Sequence, residues 1–320
     1  MKIVLYPPVS EDLCERVRQA APDAEVMMAD GENVMAAVAD AEVLFGFFSR
    51  EVIQAAQRLK WIQSTSAGME KQLDIPEVRD SDVIICSASG LHAIQVAEHA
   101  WALTAALFRS LCASFRNQLA RRWQGAPVAD LYGATVGIVG FGGIGRQYAQ
   151  RAQAFRMRIL AVDVQGGDKP AFVESLWGID RLDDLLREAD VVLLACPHTP
   201  ETEKLIDARA LKLMKRTAFL VNTARGPVVD EAALIEALKA GEIAGAGLDV
   251  FEVEPLPAES PLWDMENVIV TTHSAGSSSY RHRRTVEFFC ENLKRYLAGE
   301  PLLNEVDKAL GYPLLGRRAQ

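Results

Sequence analysis

Cysteine is scarce in this 320-residue chain: there are five, Cys14, Cys86, Cys112, Cys196 and Cys290, an odd number with no C-x-x-C spacing. That excludes a disulfide framework and a cysteine-rich zinc site, so no metal is expected and reduced thiols point to a cytoplasmic protein. No apolar run is long enough to span a bilayer. The opening MKIVLYPPVSEDL lacks the extended apolar core of a secretory signal. Basic residues are in deficit, with 34 Lys and Arg against 43 Asp and Glu and a net charge of -9, which argues against nucleic acid or an anionic membrane as partner. Low-complexity tracts and repeats are absent. What is present, 49% hydrophobic and 24% charged residues, describes a soluble globular protein with a sizeable core. The length suggests about two domains.

Short apolar runs alternate with amphipathic segments. In the first part KIVLY, AEVMMA, AEVLFGF, WIQSTS and DVIICSA read as strands, with EDLCERVRQAA and REVIQAAQRL as helices between them. Such alternation implies a parallel sheet flanked by helices. A long helical pattern covers 93–118 and breaks into the polar RRWQGAPVADLYGAT. From Gly133 the alternation resumes with TVGIVG, RILAVD, DVVLLAC, AFLVNTA, GAGLDV and NVIVTT, roughly six strands. A second long helix follows Gly276, and PLLNEVDKAL would return to the first domain. The expected fold is α/β: two doubly wound parallel-sheet domains joined by two long helices, with a cleft for a small molecule. One domain comprises 1–98 and 283–320, a flavodoxin-like substrate domain. The other comprises 99–282, a Rossmann-type dinucleotide-binding domain.

The second domain opens with VGIVGFGGIGRQYAQRAQAFRMRILAVD over 136–163. Gly140, Gly142 and Gly145 form a G-x-G-x-x-G turn, completed by Gly143 and Ile144, between a strand and a helix. A glycine-rich turn alone is weak evidence. Strand, turn, helix, second strand and terminal acid together are the dinucleotide fingerprint. Gly140 permits the tight turn, Gly142 lets backbone approach a pyrophosphate, and Gly145 allows close helix–strand packing. The helix N-terminus then offers free N–H groups to phosphate. Asp163, 18 residues after Gly145, would accept hydrogen bonds from the ribose hydroxyls and repel a 2′-phosphate. Val164 and Gln165 follow it with no arginine, so NAD is expected over NADP.

In an open parallel sheet, ligands bind beyond the carboxyl ends of the strands. Asp163 ends the second strand, Pro197 and His198 follow the third, and Thr223, Ala224 and Arg225 end the fourth. Asp249 ends the fifth, Glu254 follows it, and His273 ends the sixth. An imidazole can donate a proton as a carbonyl oxygen gains charge; a paired carboxylate stabilises its protonated form, and a guanidinium forks onto a substrate carboxylate. Each has a duller alternative. Arg225 can be a surface residue at a helix start, Glu252 competes with Glu254, and His273 can be a structural histidine. His99 reads as helix packing and His282 as a solvated residue of YRHRR. His198 fits a site near the ribose or a plain loop, and Cys196 shows no sign of being a nucleophile.

TARGPVVDEAALIEALKAGEIAGAGLDVFEVEPLP and NVIVTTHSAG, with ACPHTPETEKLI and STSAGME, resemble the D-isomer-specific 2-hydroxyacid dehydrogenase family over nearly the whole chain. The resemblance implies an NAD-dependent oxidoreductase interconverting a small 2-oxo acid and a D-2-hydroxy acid. It implies that Arg225 binds substrate, that His273 is the acid/base, and that Glu254 is its partner. Ala67 and Gly68 would offer amides to the substrate carboxylate, and Asp249 would hold the nicotinamide carboxamide with Thr223 and Ala224 alongside. Pro197, His198, Thr202, His273 and Gly276 complete the expected cofactor shell. His92 stands where relatives usually carry asparagine. Phe47 and Phe48 read equally as an apolar substrate wall or as a buried aromatic pair. Relatives usually dimerise through the second domain, so a homodimer is expected, with Trp101, Leu107, Phe108 and Trp123 available for it. The alternative in another class is an NAD(H)-sensing binding protein, like the corepressors that share this fold.

Overall fold

The structure, a computed structural model, describes residues 1–164 and 166–313. It divides into two units, Met1–His92 with the chain from Ser278 onward, and Ala93–Ser277. Both borders fall a few residues before the expected 98/99 and 282/283. The helix Ala93–Phe108 packs from its first turn within the second unit, where Ala93, Val96 and Ala97 are buried. The helix Arg281–Ala298 packs on Glu11–Ala20 of the first.

The first unit holds a parallel sheet of β1 (Lys2–Tyr6), β2 (Glu25–Met28), β3 (Val43–Gly46), β4 (Trp61–Ser64) and β5 (Ile84–Cys86), in the order β2-β1-β3-β4-β5. Val43–Gly46 and Trp61–Ser64 are buried throughout, as a sheet covered on both faces requires. One face receives Phe289 and Leu293 of the terminal helix, with Trp61 against Phe289 and Tyr296 at ring separations of 5.2 Å. That helix ends at Gly299, whose φ of 70° supplies the left-handed cap. The chain then returns to β5: Ser87 N donates to Asn304 O at 3.0 Å, and Cys86 bridges Glu305.

The second unit holds seven parallel strands where six were expected. They are β6 (Thr135–Val139), β7 (Arg158–Val162), β8 (Ser175–Trp177), β9 (Val191–Leu194), β10 (Phe219–Asn222), β11 (Gly245–Leu248) and β12 (Val268–Val270), in the order β12-β11-β10-β9-β6-β7-β8. The added β8 is a three-residue, half-buried edge strand. The central β6, β9 and β11 are buried at every position. Strand order reverses between β6 and β9, which opens the crevice at their carboxyl ends. The long helical pattern at 93–118 is two helices, Ala93–Phe108 and Leu111–Leu119, separated at Ser110 with φ 48°. Leu107 and Phe108 are core residues, and Trp101 packs edge-on to Tyr148. The exposed apolar set is instead Phe115, Leu119, Trp123 and Tyr132. Among the described residues, no helix is long and apolar enough to cross a membrane.

Candidate active site at the strand ends of the larger sheet

The glycine turn after β6 has no room for a side chain at Gly140 or Gly145. A Cβ on Gly140 (φ 93°) would lie 2.6 Å from Cys196 N, and one on Gly145 would lie 2.3 Å from Gly140 O. Gly145 therefore admits the returning Gly140 carbonyl beneath the helix Gly143–Ala154, which starts inside the turn. Asp163, at the end of β7, accepts the Phe141 amide at 2.7 Å, tying the strand tip to the turn. Val164 follows; Gln165 lies outside the described residues. The Cys196 thiol beside the turn is pushed up to about 12 by burial, so it is a neutral wall and not a nucleophile.

Register brings the next group together. Asn222 of β10 pairs with Leu248 of β11, which pairs with Val270 of β12, so Thr223, Asp249 and Thr271 leave the sheet side by side. Asp249, only 1% exposed, is a knot. Its carboxylate accepts Thr271 Oγ1–H at 2.6 Å, Ser274 N–H at 2.9 Å and Ala275 N–H at 3.0 Å, and its carbonyl accepts His273 N–H at 2.8 Å. These bonds hold His273 at φ 51°, a conformation that costs energy outside glycine and needs such over-determination.

The His273 imidazole meets Glu254 at 2.7 Å, Nδ1 to Oε2. An ionised carboxylate only accepts, so Nδ1 carries hydrogen and Nε2 is left to exchange a proton. Glu254 is itself held by the Phe251 amide on Oε1 at 3.1 Å. Glu252 is engaged elsewhere: its Oε1 accepts the Glu231 amide and its own amide donates to Glu231 Oε2, both at 3.1 Å. Arg225, half-buried, follows β10 on a turn braced by buried Asn222, which accepts Ala224 N–H at 3.0 Å and donates to Arg225 O at 3.1 Å. Gly226 lets this turn lie on the loop that carries Glu254, since a Cβ there would sit 1.9 Å from the Phe251 carbonyl carbon. Asn222 and Gly226 were not singled out in the sequence. The R-G-P step after a strand was the available signal for Gly226.

The remaining expected residues divide. Thr223 Oγ1 is buried and has no hydrogen-bond partner among the described residues. Thr202 instead shapes its own loop, donating to Pro197 O at 2.8 Å. His198 pairs with Glu203. Gly276 has open space where a side chain would be, and His282 is exposed. His99 does more than pack: its Nε2 lies 2.9 Å from Thr271 Oγ1, joining the Asp249 knot. In the first unit, Ala67 and Gly68 follow β4, and their amides have no hydrogen-bond partner among the described residues. Phe48 is buried and Phe47 is 53% exposed beside Tyr6. A turn that excludes a Cβ at Gly140 and Gly145, a helix N-terminus within it and a buried Thr223 hydroxyl without a partner among the described residues fit a bound dinucleotide.

Comparison with known proteins agrees. Residues 101–275 match the family described as D-isomer specific 2-hydroxyacid dehydrogenase, NAD binding domain. The chain is 40% identical over 259 residues to a glyoxylate reductase of Korarchaeum cryptofilum, covering 78% of this chain and 76% of that protein. It is 33% identical over 316 residues to a D-3-phosphoglycerate dehydrogenase of Methanocaldococcus jannaschii, spanning 96% of this chain and 59% of that longer one. A crystal structure of a D-isomer specific 2-hydroxyacid dehydrogenase from Xanthobacter autotrophicus Py2, in complex with NADPH and MES, superposes with a TM-score of 0.85 at 30% identity. It covers 97% of this chain and 99% of its own.

Gly140→Ala should weaken nicotinamide dinucleotide binding at least ~100-fold, because a Cβ both strains a positive φ and invades the turn. Calorimetric titration reads the loss, and an unchanged far-UV circular dichroism spectrum shows that the fold survives.

Proposed function

The chain belongs to the D-isomer-specific 2-hydroxyacid dehydrogenase family, and we propose that it reduces a small 2-oxo acid to the D-2-hydroxy acid with NADH. One observation carries this reading: His273 Nδ1 rests 2.7 Å from the Glu254 carboxylate, at the same sheet edge as the glycine turn. The bound dinucleotide would supply the hydride that goes to C2. His273 donates a proton from Nε2 to the carbonyl oxygen as negative charge grows there, and recovers it in the reverse reaction. Glu254 stabilises the protonated ring before that step and keeps the Nδ1 hydrogen in place after it. Arg225 takes the substrate carboxylate, and in the first unit the amides of Ala67 and Gly68 are carboxylate-binding donors.

Gly140, Gly142, Gly143, Ile144 and Gly145 receive the pyrophosphate, and Asp163 the adenosine ribose. Pro197, His198 and Thr202 line the adenine side. Thr223 Oγ1, Ala224, Asp249 and Gly276 face the nicotinamide side, where Asp249 Oδ2, with one backbone donor recorded, has capacity for a carboxamide N–H. Phe47 forms a wall for the substrate substituent, which favours a compact or apolar group. Five free cysteines support a cytoplasmic location.

We also infer a homodimer. The helix Leu111–Leu119 buries none of its residues, Trp123 beyond it is fully exposed, and Arg116 Nη1 is a buried donor without a partner among the described residues. A second copy would cover this apolar face.

The wild type should oxidise NADH on at least one of glyoxylate, hydroxypyruvate, pyruvate, 2-oxoisocaproate or phenylpyruvate. His273→Ala should lower kcat by about 1,000-fold with NADH affinity unchanged, as expected when only a transition-state proton transfer is removed. NADH binding with silence across the whole panel would favour the sensing protein instead. Asp163→Ala should shift the NADH-to-NADPH ratio of kcat/KM toward NADPH by roughly tenfold or more, about 1.4 kcal/mol; an unmoved ratio would refute the assignment of Asp163. Phe115→Asp should convert a dimer to a monomer in light scattering.

A further inference from the structure

The loop after β4 is braced from several sides, and each brace takes an acceptor. Ser64 Oγ accepts Ser66 N–H at 3.1 Å, and Ser66 O accepts Ala88 N–H at 2.8 Å. The Thr65 carbonyl is met twice. His92 Nε2 lies 3.3 Å from it, and Arg281 Nη2 lies 3.5 Å from it. His92 comes from the segment that follows β5, and Arg281 from the first turn of the terminal helix, so two distant stretches of chain converge on one peptide. A carbonyl has two lone pairs, and two donors fill them. The amides of Ala67 and Gly68 that come next have no hydrogen-bond partner among the described residues.

We propose that His92 and Arg281 are positioning residues: by clamping the Thr65 carbonyl they hold the Ala67 and Gly68 amides ready for the substrate carboxylate. This rests on the reading of those amides given above. The clamp explains why a histidine 8% exposed has its Nε2 turned to a backbone oxygen. Burial, with Arg281 and Arg284 nearby, holds its pKa below the usual value. The ring is therefore neutral at pH 7, with its Nε2 hydrogen serving the carbonyl. Arg281 adds positive charge beside an anion-binding loop and forms no ion pair among the described residues. Neither side chain need touch the substrate. Each acts by removing the rotational freedom of the 65–66 peptide, from which the two amides hang.

The test is a steady-state and binding comparison of the full-length wild type with His92→Ala, His92→Gln and Arg281→Ala. Glutamine places an amide N–H where Nε2 was and keeps the bond to Thr65 O. His92→Ala should raise KM for the preferred 2-oxo acid about tenfold, equivalent to ~1.4 kcal/mol, with kcat within about twofold of wild type and the NADH Kd unchanged. His92→Gln should restore most of the KM. Arg281→Ala should raise KM in the same direction, and it keeps the proposal open to refutation should His92→Ala fold poorly. Unchanged KM in both alanine variants, or an equal rise in His92→Gln, would overturn the clamp. A wild type silent on every 2-oxo acid would remove the reading beneath it. In that event oxalate titrated into the NADH complex still decides: weaker binding in His92→Ala, recovered in His92→Gln, supports the clamp. Equal binding, or no oxalate binding to the wild type, overturns it.

Discussion

All seven strands of the larger sheet point the same way, and helices cover both faces, so polar chemistry is expelled to the strand ends. Everything at the candidate site follows from that constraint. Parallel pairing in register sets the last residues of β10, β11 and β12 abreast, and the next residue of each is Thr223, Asp249 or Thr271. A slip of one residue would carry Asp249 into the apolar interior without its donors, where an unpaired carboxylate is strongly disfavoured. The buried acid thus locks the register that in turn delivers the reactive side chains.

The same acid links scaffold to chemistry. Its carboxylate accepts from Thr271, Ser274 and Ala275 and its carbonyl from the His273 amide, which together fix that histidine in a left-handed backbone conformation. The ring of that histidine then needs one further contact, to Glu254, to be oriented. Gly226 brings the arginine turn down onto the glutamate loop, so that Arg225 and Glu254 are mounted on touching backbones. Rigidity here comes from backbone contacts.

Much of this was legible in the sequence, and the reasons are particular. The buried strands are unbroken apolar runs, and the glycine turn has a fixed spacing, so both could be read directly. Glu254, His273 and Arg225 could be placed because each follows such a run. Edge strand β8 was not legible, since Ser175–Trp177 is three half-buried residues with no periodicity to detect. The break at Ser110 is invisible in an alanine- and leucine-rich pattern that continues on either side. Asn222 is hidden inside an apolar strand run, although its partners Ala224 and Arg225 are local; His99 sits on a helix rich in apolar residues, and its partner Thr271 is distant in sequence. Phe47 and Phe48 could not be separated by composition, because alternation along an extended chain sends one inward and the next outward.

The first unit is assembled from both ends of the chain, and Trp61 lies between its sheet and a helix made nearly 230 residues later. During synthesis, residues 1–92 leave the ribosome with the sheet face around Ile3, Phe45 and Trp61 only partly covered, by Leu13, Cys14 and Val17 of the helix Glu11–Ala20. The second unit is continuous and can close as soon as it has emerged. At ordinary elongation rates of about 5–20 residues per second, that apolar face waits on the order of ten seconds or more for Phe289 and Leu293. The domain that begins first is therefore finished last, and its exposed interval is the period in which a chaperone has something to hold.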